Sequence, residues 1–436
     1  MKGKFLALRA DRAFLNKGTL FILILLLVLM PLAGGGVYLW CKTGFTLLIL
    51  LAGSLMLLEK AISGRPVWLQ TKLNVPLLSL TLFVAVTAVF AVNKPDALEA
   101  IILFFSYLGL FFITLYSVRT REQQMIVVYT ILAMALFLSI IGILKRLDLL
   151  PVGFWLYEHQ TGSVSITSTY RNRNHLAGYL EMAIPLLLGL FLVKSRRGPT
   201  LFIMIYCLLL LSTTHLLTLS RGGWMSLTGS LLFMFVILIS QKRFQAKKLL
   251  VGIFVGVICL LLIVFSSTDL IQRLLTLTEE DTFVDMGGRS AAWAGVIQMI
   301  ITQPLLGYGP GSFATFFTQF QSAGIPARFY HAHNDYLHSM AEMGVTVLLP
   351  ILWLLFNFYQ EGFEKIASRS RQTWGVSLGA MMGICALLLH SFTDFNLHIP
   401  ANTILFTVLA ALVIGGPKST SGHHTHSKPE PPCLSP

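Results

Sequence analysis

Three histidines fall within eight residues in His331-Ala-His333-Asn334-Asp-Tyr-Leu-His338, at the mouth of an apolar stretch that runs on to Tyr359. A neutral imidazole there can take a proton from a hydroxyl within hydrogen-bond reach, at the level where a bilayer meets water. Two arginines sit beside glycine pairs, Arg221 in Ser220-Arg-Gly-Gly223 and Arg289 in Gly287-Gly-Arg289-Ser290. A guanidinium presents a rigid fork of donors that matches phosphate oxygens, and neighbouring glycines admit close backbone approach. Two further segments gather polar groups at the edge of apolar runs, Arg171-Asn-Arg173-Asn174-His175 and Asp394-Phe-Asn396-Leu-His398. Either can bind ligand hydroxyls, and either can satisfy backbone groups at a re-entrant turn.

The elements that must position these groups follow from composition. Of 436 residues, 55% are hydrophobic and only 12% charged, and the mean hydropathy is +0.75. A soluble domain does not sustain such values, so the expected class is an all-α polytopic integral membrane protein. Apolar runs near the ~20 residues needed to cross the hydrocarbon occur at Leu20–Val37, Gly44–Leu58, Pro76–Val92, Leu98–Val118, Met125–Leu144, Leu176–Val193, Leu201–Leu219, Trp224–Ile239, Leu249–Phe265, Tyr336–Tyr359, Val376–His390 and Pro400–Ile414. About 12 transmembrane helices are expected, the first two close enough to form a broken hairpin. With Tyr336–Tyr359 as one helix, Glu342 falls nine residues after His333, deeper and on roughly the opposite side, unpaired with it. His338 points away from His333 for the same reason.

Short cytoplasmic loops collect Lys and Arg. The first terminus carries Lys2, Lys4, Arg9, Arg12 and Lys17, and every second loop is basic thereafter: Lys60 with Arg65, Arg119 with Arg121, Lys194 with Arg196 and Arg197, Lys242 to Lys248, and Lys365 with Arg369 and Arg371. This alternation places both termini in the cytoplasm and accounts for much of the +13 net charge without a nucleic-acid partner. The opposite loops hold Arg171, Arg173, His175, Arg221, Arg289, the histidine cluster, Asp394 and His398. That side lacks nucleotide sugars and ATP, so a reaction there needs a substrate already activated on a lipid carrier.

One outer loop, residues 266–336, is too long for a simple connection. Within it the stretch from Ala291 to Ile301 has helical spacing and an apolar face, followed by Pro304 and a Gly307-Tyr-Gly-Pro-Gly311 turn. It reads as an amphipathic helix on the membrane surface capping a cavity. Arg289 at its start gains the positive potential of the helix terminus, while Glu279, Glu280, Asp281 and Asp285 are alternative partners for it. The five cysteines, Cys41, Cys207, Cys259, Cys385 and Cys433, are scattered and form neither a disulfide framework nor a metal-ligand spacing. The basic Met1–Lys17 segment and the apolar run after it show no cleavage site and read as a retained first span. Residues 417–436, with His423, His424 and His426, read as a disordered cytoplasmic tail. The organisation expected is thus 1–170 N-terminal transmembrane helices, 171–400 a catalytic region including the 266–336 loop, 401–416 a last span, and the tail.

Taken together, Ser220-Arg221-Gly222-Gly223, the Arg289 segment, His333-Asn334 with nine residues between Asn334 and Gly344, and Arg171-Asn-Arg-Asn-His-Leu-Ala-Gly178 resemble the O-antigen ligase and polymerase family of bacterial envelope membrane proteins. The resemblance covers about Arg171 to Pro400; the first 150 residues match only in hydropathy. It implies an inverting glycosyltransferase in the bacterial inner membrane that needs neither metal nor other cofactor. The enzyme would move a glycan from undecaprenyl pyrophosphate to an acceptor on the periplasmic face. By motif, Arg221 and Arg289 would bind the pyrophosphate and His333 would be the base, with Arg171, Arg173, His175, His331, Asn334, Asp394 and Asn396 available to substrate. A ligase acting on lipid A-core is favoured, because no outer loop has an Arg followed eleven positions later by Gly, a spacing associated with some polymerases. Val347 stands where the ligase pattern often has a small or hydroxyl residue, which leaves the acceptor open. Polysaccharide polymerisation and transfer to protein are the alternative enzymatic readings. A small-solute or anion transporter is the non-enzymatic one, but it calls for ionisable pairs at mid-bilayer and internal symmetry, whereas these charges crowd one face.

The charge alternation yields a direct expectation. Reporter fusions within Lys242–Lys248 and after Gly416 score as cytoplasmic, and fusions within Ser266–Tyr336 score as periplasmic. Alkaline-phosphatase activity from a fusion at Lys247 would reverse the orientation.

Overall fold

The computed structural model describes residues 2–64, 70–151, 165–193, 198–240, 288–321, 329–367 and 371–415. Among them the regular structure is helical throughout: α1 Lys2–Leu32, α2 Leu39–Ser63, α3 Asn74–Val89, α4 Lys94–Ser117, α5 Arg121–Arg146, α6 Arg173–Val193, α7 Pro199–Leu217, α8 Arg221–Ser240, α9 Gly288–Thr302, α10 Phe313–Phe316, α11 Asp335–Met343, α12 Leu348–Ile366, α13 Arg371–His390 and α14 Pro400–Gly415. Eight helices of the described residues are long and apolar enough to cross a membrane, and α3, α13 and α14 are shorter apolar helices at positions where spans were expected. The chain is an all-α polytopic membrane protein. The expected span Leu249–Phe265, residues 266–287 of the long loop and the tail 417–436 lie outside the described residues.

Burial separates interior helices from lipid-facing ones. The apolar window of α6 is 83% buried, against 22% for those of α2 and α7. Hydrocarbon solvates Leu as well as a protein core does, so close helix contact in a membrane depends on small residues that let backbones approach. The α6/α13 pair shows this directly. A Cβ on Gly189 would overlap the backbone of Gly375 and Gly379, and Cβ atoms on Gly379 and Gly383 would lie 2.6 Å from the carbonyl oxygens of Pro185 and Met182. Gly375, Gly379 and Gly383 repeat every four residues and form one stripe along α13.

The expected helix Tyr336–Tyr359 is two helices. The chain breaks at Gly344, whose φ of 76° and ψ of 164° leave the helical region and separate α11 from α12. Two neighbours impose the break. Val345 donates its amide to the Pro304 carbonyl at 2.8 Å, and a Cβ at position 344 would overlap the backbone of Leu305. The turn at Gly307–Gly311 then wraps over the end of α11, with Gly309 donating to the Glu342 carbonyl at 2.7 Å. On its other side the turn meets the α3/α4 connection, where Val92 donates to Tyr308 at 3.0 Å. The first two helices are likewise full helices, joined through the glycine turn Gly34–Gly36.

Gly344 therefore tolerates no side chain, whereas a Cβ on Gly44 in α2 meets nothing within 4 Å. Gly344→Ala is expected to lose about 2 kcal/mol or more from its positive φ and backbone overlap, and Gly44→Ala to be neutral or slightly stabilising. Thermal unfolding of the two variants in detergent checks the contrast; equal midpoints would mean the break is not enforced at Gly344.

Candidate functional site

The ends of α6, α8, α11 and α13 converge on the turn Ser391–Ile399. Asn334 caps α11: its Oδ1 accepts from the amides of Tyr336 and Leu337, each at 3.0 Å, which satisfies donors a helix start leaves open. Its Nδ2 donates to the Phe392 carbonyl at 3.0 Å, and the Asp335 amide donates to Ser391 at 2.8 Å. The Asp335 carboxylate accepts from the Ser391 hydroxyl at 2.8 Å and the Leu397 amide at 3.1 Å, and it lies 2.7 Å from Nδ1 of His398. Asn334 and Asp335 thus fasten α11 to the turn. Immediately before them His333 is held at a φ of 49°, a left-handed conformation that costs a non-glycine residue roughly 1–2 kcal/mol.

Asp394 is fully buried. Its Oδ2 accepts from Asn174 Nδ2 at 2.5 Å and its Oδ1 from the Phe395 amide at 2.8 Å. Two imidazoles flank the same Oδ1, His333 through Nδ1 at 3.6 Å and His175 through Nε2 at 3.9 Å. Burial alone would push this carboxyl up, but the neighbouring His333, His175 and His390 outweigh it and hold the group well below the usual carboxylate range. The His333 side chain keeps 25% exposure, so one face of the ring meets the carboxylate side while another is reachable by ligand. Deeper, His390 Nδ1 and Glu181 Oε1 pair at 3.1 Å across the α6/α13 contact.

On the far side of Phe395 lies a second group of imidazoles. The Phe395 ring stacks on His331 with centroids 4.2 Å apart and meets the edges of His175 and His333 at 4.8 Å each. His331, His338 and His398 gather behind it, and Glu342 closes the group by pairing with His338 Nε2 at 3.2 Å. Burial, then the neighbouring imidazoles of His398 and His338, push His331 down. Glu342 also accepts from the amides of Gly311 at 2.9 Å and Phe313 at 3.0 Å, tying the glycine turn to α11.

The arginines come from three helix starts. Arg221 is the exposed first residue of α8. Ser220 Oγ accepts the Gly223 amide at 3.3 Å. Gly222 has no room for a side chain beside Thr393 and His390, and a Cβ on Gly223 would lie 2.9 Å from that of Ala177. The two glycines therefore seat α8 between α6 and the Asp394 turn. Arg171 and Arg173 stand at the start of α6, beside the Asn174 that binds Asp394. Arg289 lies in the first turn of α9, and its side chain is outside the described residues. One turn later Trp293 donates Nε1 to the Ala332 carbonyl at 2.9 Å, which fastens α9 to the histidine loop.

Most of the residues singled out from the sequence are brought together: His175, His333, Asn334 and Asp394 share one cluster, His331 stands across the Phe395 ring from His333, and Arg171, Arg173 and Arg221 lie on the helix starts around it. Asn396 faces inward instead. It is fully buried, and its Oδ1 accepts from Asn402, which also donates to the His175 carbonyl. Sequence reasoning missed Asp335, the His338–Glu342 pair and Phe395. The i,i+4 spacing of His338 and Glu342 was a readable sign of a shared face; Asp335 and His398, 63 positions apart, gave none.

Fold and site together define an all-α polytopic membrane protein with a histidine, carboxylate and arginine centre at one end of its helices. Residues 205–352, about a third of the chain, match the family described as O-antigen ligase. The matched segment includes Arg221, Arg289, His333 and Gly344, while the Arg171 and Asp394 segments lie outside it. No curated protein matches the chain.

Because Asp394 is held as a buried anion, Asp394→Asn is expected to cost about 3 kcal/mol of stability at neutral pH by leaving its partners uncompensated. The sign with pH follows from the depressed value. The contribution is present above the unfolded value of about 3.9 and is lost as pH falls through the lower folded value. Thermal midpoints should drop more steeply below about pH 4 in the wild type than in Asp394→Asn; parallel curves would mean Asp394 is not an anion in the folded protein.

Proposed function

We propose that this protein is an inverting, metal-independent glycosyltransferase of the ligase type. It transfers a glycan from undecaprenyl pyrophosphate to an acceptor hydroxyl, with lipid A-core as the acceptor, on the periplasmic face of the inner membrane. The observation that carries the reading is the strained, partly exposed His333, whose Nδ1 faces the buried Asp394 carboxylate at 3.6 Å. A buried carboxylate facing one ring nitrogen stabilises electrostatically the imidazolium formed when the other nitrogen takes a proton.

The reaction is a single displacement. The acceptor oxygen bonds to the anomeric carbon from the face opposite the pyrophosphate, the bond from that carbon to the pyrophosphate oxygen breaks, and configuration inverts. The acceptor proton passes to Nε2 of His333, and undecaprenyl pyrophosphate leaves with the electron pair and its charge. Arg221, exposed at the start of α8 beside the Asp394 turn, and Arg289, in the first turn of α9, are assigned to the pyrophosphate. A helix start adds positive potential to each guanidinium. Arg171, Arg173, His175 and Asn334 border the same centre.

The test is transfer from a defined undecaprenyl-pyrophosphate glycan to purified lipid A-core by detergent-solubilised protein. His333→Ala should lose on the order of 10²–10⁴ in rate while the protein stays folded and still binds donor. Arg221→Lys and Arg289→Lys should each lose most activity although charge is kept, because an ammonium cannot reproduce the bidentate fork. Near-normal turnover by His333→Ala removes the base assignment, and full activity of a Lys variant reduces that arginine to a charge anchor. Chain extension of the donor glycan without use of lipid A-core would make the protein a polymerase.

A further inference from the structure

His331, His338 and His398 come from three separate pieces of chain: the loop before α11, α11 itself and the turn before α14. One ring nitrogen of each lies within 4.8 Å of the other two, and the ring centroids are 5.5 Å (His331 to His338), 5.1 Å (His331 to His398) and 4.2 Å (His338 to His398) apart. Two of the rings are gripped from behind by carboxylates, His398 by Asp335 at 2.7 Å on Nδ1 and His338 by Glu342 at 3.2 Å on Nε2. This leaves Nε2 of His398 to point elsewhere, while Nδ1 of His338 accepts the Ala332 amide at 3.3 Å, a long hydrogen bond that a bound metal would displace. Nδ1 of His331 is buried and has no hydrogen-bond partner among the described residues.

Packing three imidazoles together gains little by itself, since each ring presents polar nitrogens that need partners. A carboxylate behind a histidine is the arrangement that fixes tautomer and ring orientation when the other nitrogen binds a metal. We propose that His331, His338 and His398 form a binding site for a late first-row divalent cation, with Zn²⁺ as the reference ion. Imidazole donors suit such ions, whereas Mg²⁺ and Ca²⁺ prefer oxygen. Bonds of about 2.0–2.1 Å require the nitrogens to draw in to roughly 3.4 Å, a movement of ring rotation. Asp335 and Glu342 balance the charge. The ion is structural: it pins the histidine loop, α11 and the turn at one point, and the Phe395 ring separates it from His333. The proposal is independent of the transfer reading, whose base, His333, meets the edge of that ring.

The test uses full-length protein purified in detergent through a tag without histidine, in a background where His423, His424 and His426 are replaced by Ala so that the tail contributes nothing. Elemental analysis should find stoichiometric Zn²⁺, and chelator should lower the thermal midpoint by several degrees, restored by Zn²⁺ and not by Mg²⁺. His331→Ala and His398→Ala should lose the ion, whereas His333→Ala should keep all of it even if transfer is abolished. Because the ligand variants can fail to fold, chelator-stripped wild-type protein is also titrated with Co²⁺, whose visible bands and X-ray absorption should report three imidazole nitrogens at tetrahedral intensity. Absence of stoichiometric metal after Zn²⁺ addition, full retention in His398→Ala, a Co²⁺ spectrum without imidazole ligation, or metal binding that disappears with the tail histidines alone would each overturn the site.

Discussion

A carboxylate with no exposed surface, Asp394, governs the arrangement of everything around it. An uncompensated charge in a low-dielectric interior costs several kcal/mol, so the side chain is tolerable only where donors and imidazoles surround it. Those partners come from remote parts of the chain: Asn174 and His175 at the start of α6, His333 before α11, and the backbone of its own turn. The requirement to neutralise one anion therefore draws the ends of α6 and α11 to a single point. The exposed Arg221 reaches the same place because Gly222 and Gly223 leave α8 nothing to hold it away.

The helices beneath can meet this demand because the membrane interior imposes its own rule. Lipid offers no hydrophobic reward for bringing helices together, so position is set by shape. The glycine stripe of α13 against α6 provides that shape and presents His390 and Ser391 directly under the Asp394 turn. At the other end, Gly344 ends α11 after nine residues. The i,i+4 pair of Glu342 with His338 lies within α11, and the break beyond it brings the amides of Gly311 and Phe313 onto the same carboxylate.

How much of this could be read beforehand depended on the range of the interaction. Hydropathy located the apolar helices among the described residues, because the cost of exposing backbone to lipid is met locally, helix by helix. Motif spacing drew attention to His333 and Arg221, and a polar segment at the edge of an apolar run drew it to Asp394. The break at Gly344 was missed since the apolar run continues through it and its cause, the Pro304–Leu305 backbone, lies about forty residues earlier. Asp335, placed beside a conspicuous histidine motif, went unnoticed because its partners Ser391 and His398 are 56 and 63 positions away. Asn396 looked available for ligand, yet an amide one turn from a helix start is equally suited to closing a buried junction with Asn402.

The order of synthesis gives the late position of Asp394 a temporal meaning. Helices enter a membrane roughly as they leave the ribosome, and α1 through α13 are all made before the residue that organises the centre exists. Until the Ser391–Ile399 turn arrives, His333 has no carboxylate behind it, Asn334 has no Phe392 carbonyl and Asp335 has no Ser391 or His398. A chain terminated before this turn therefore lacks the groups that hold His333, Asn334 and Asp335 in place, and the centre is assembled in a single event when the turn is made.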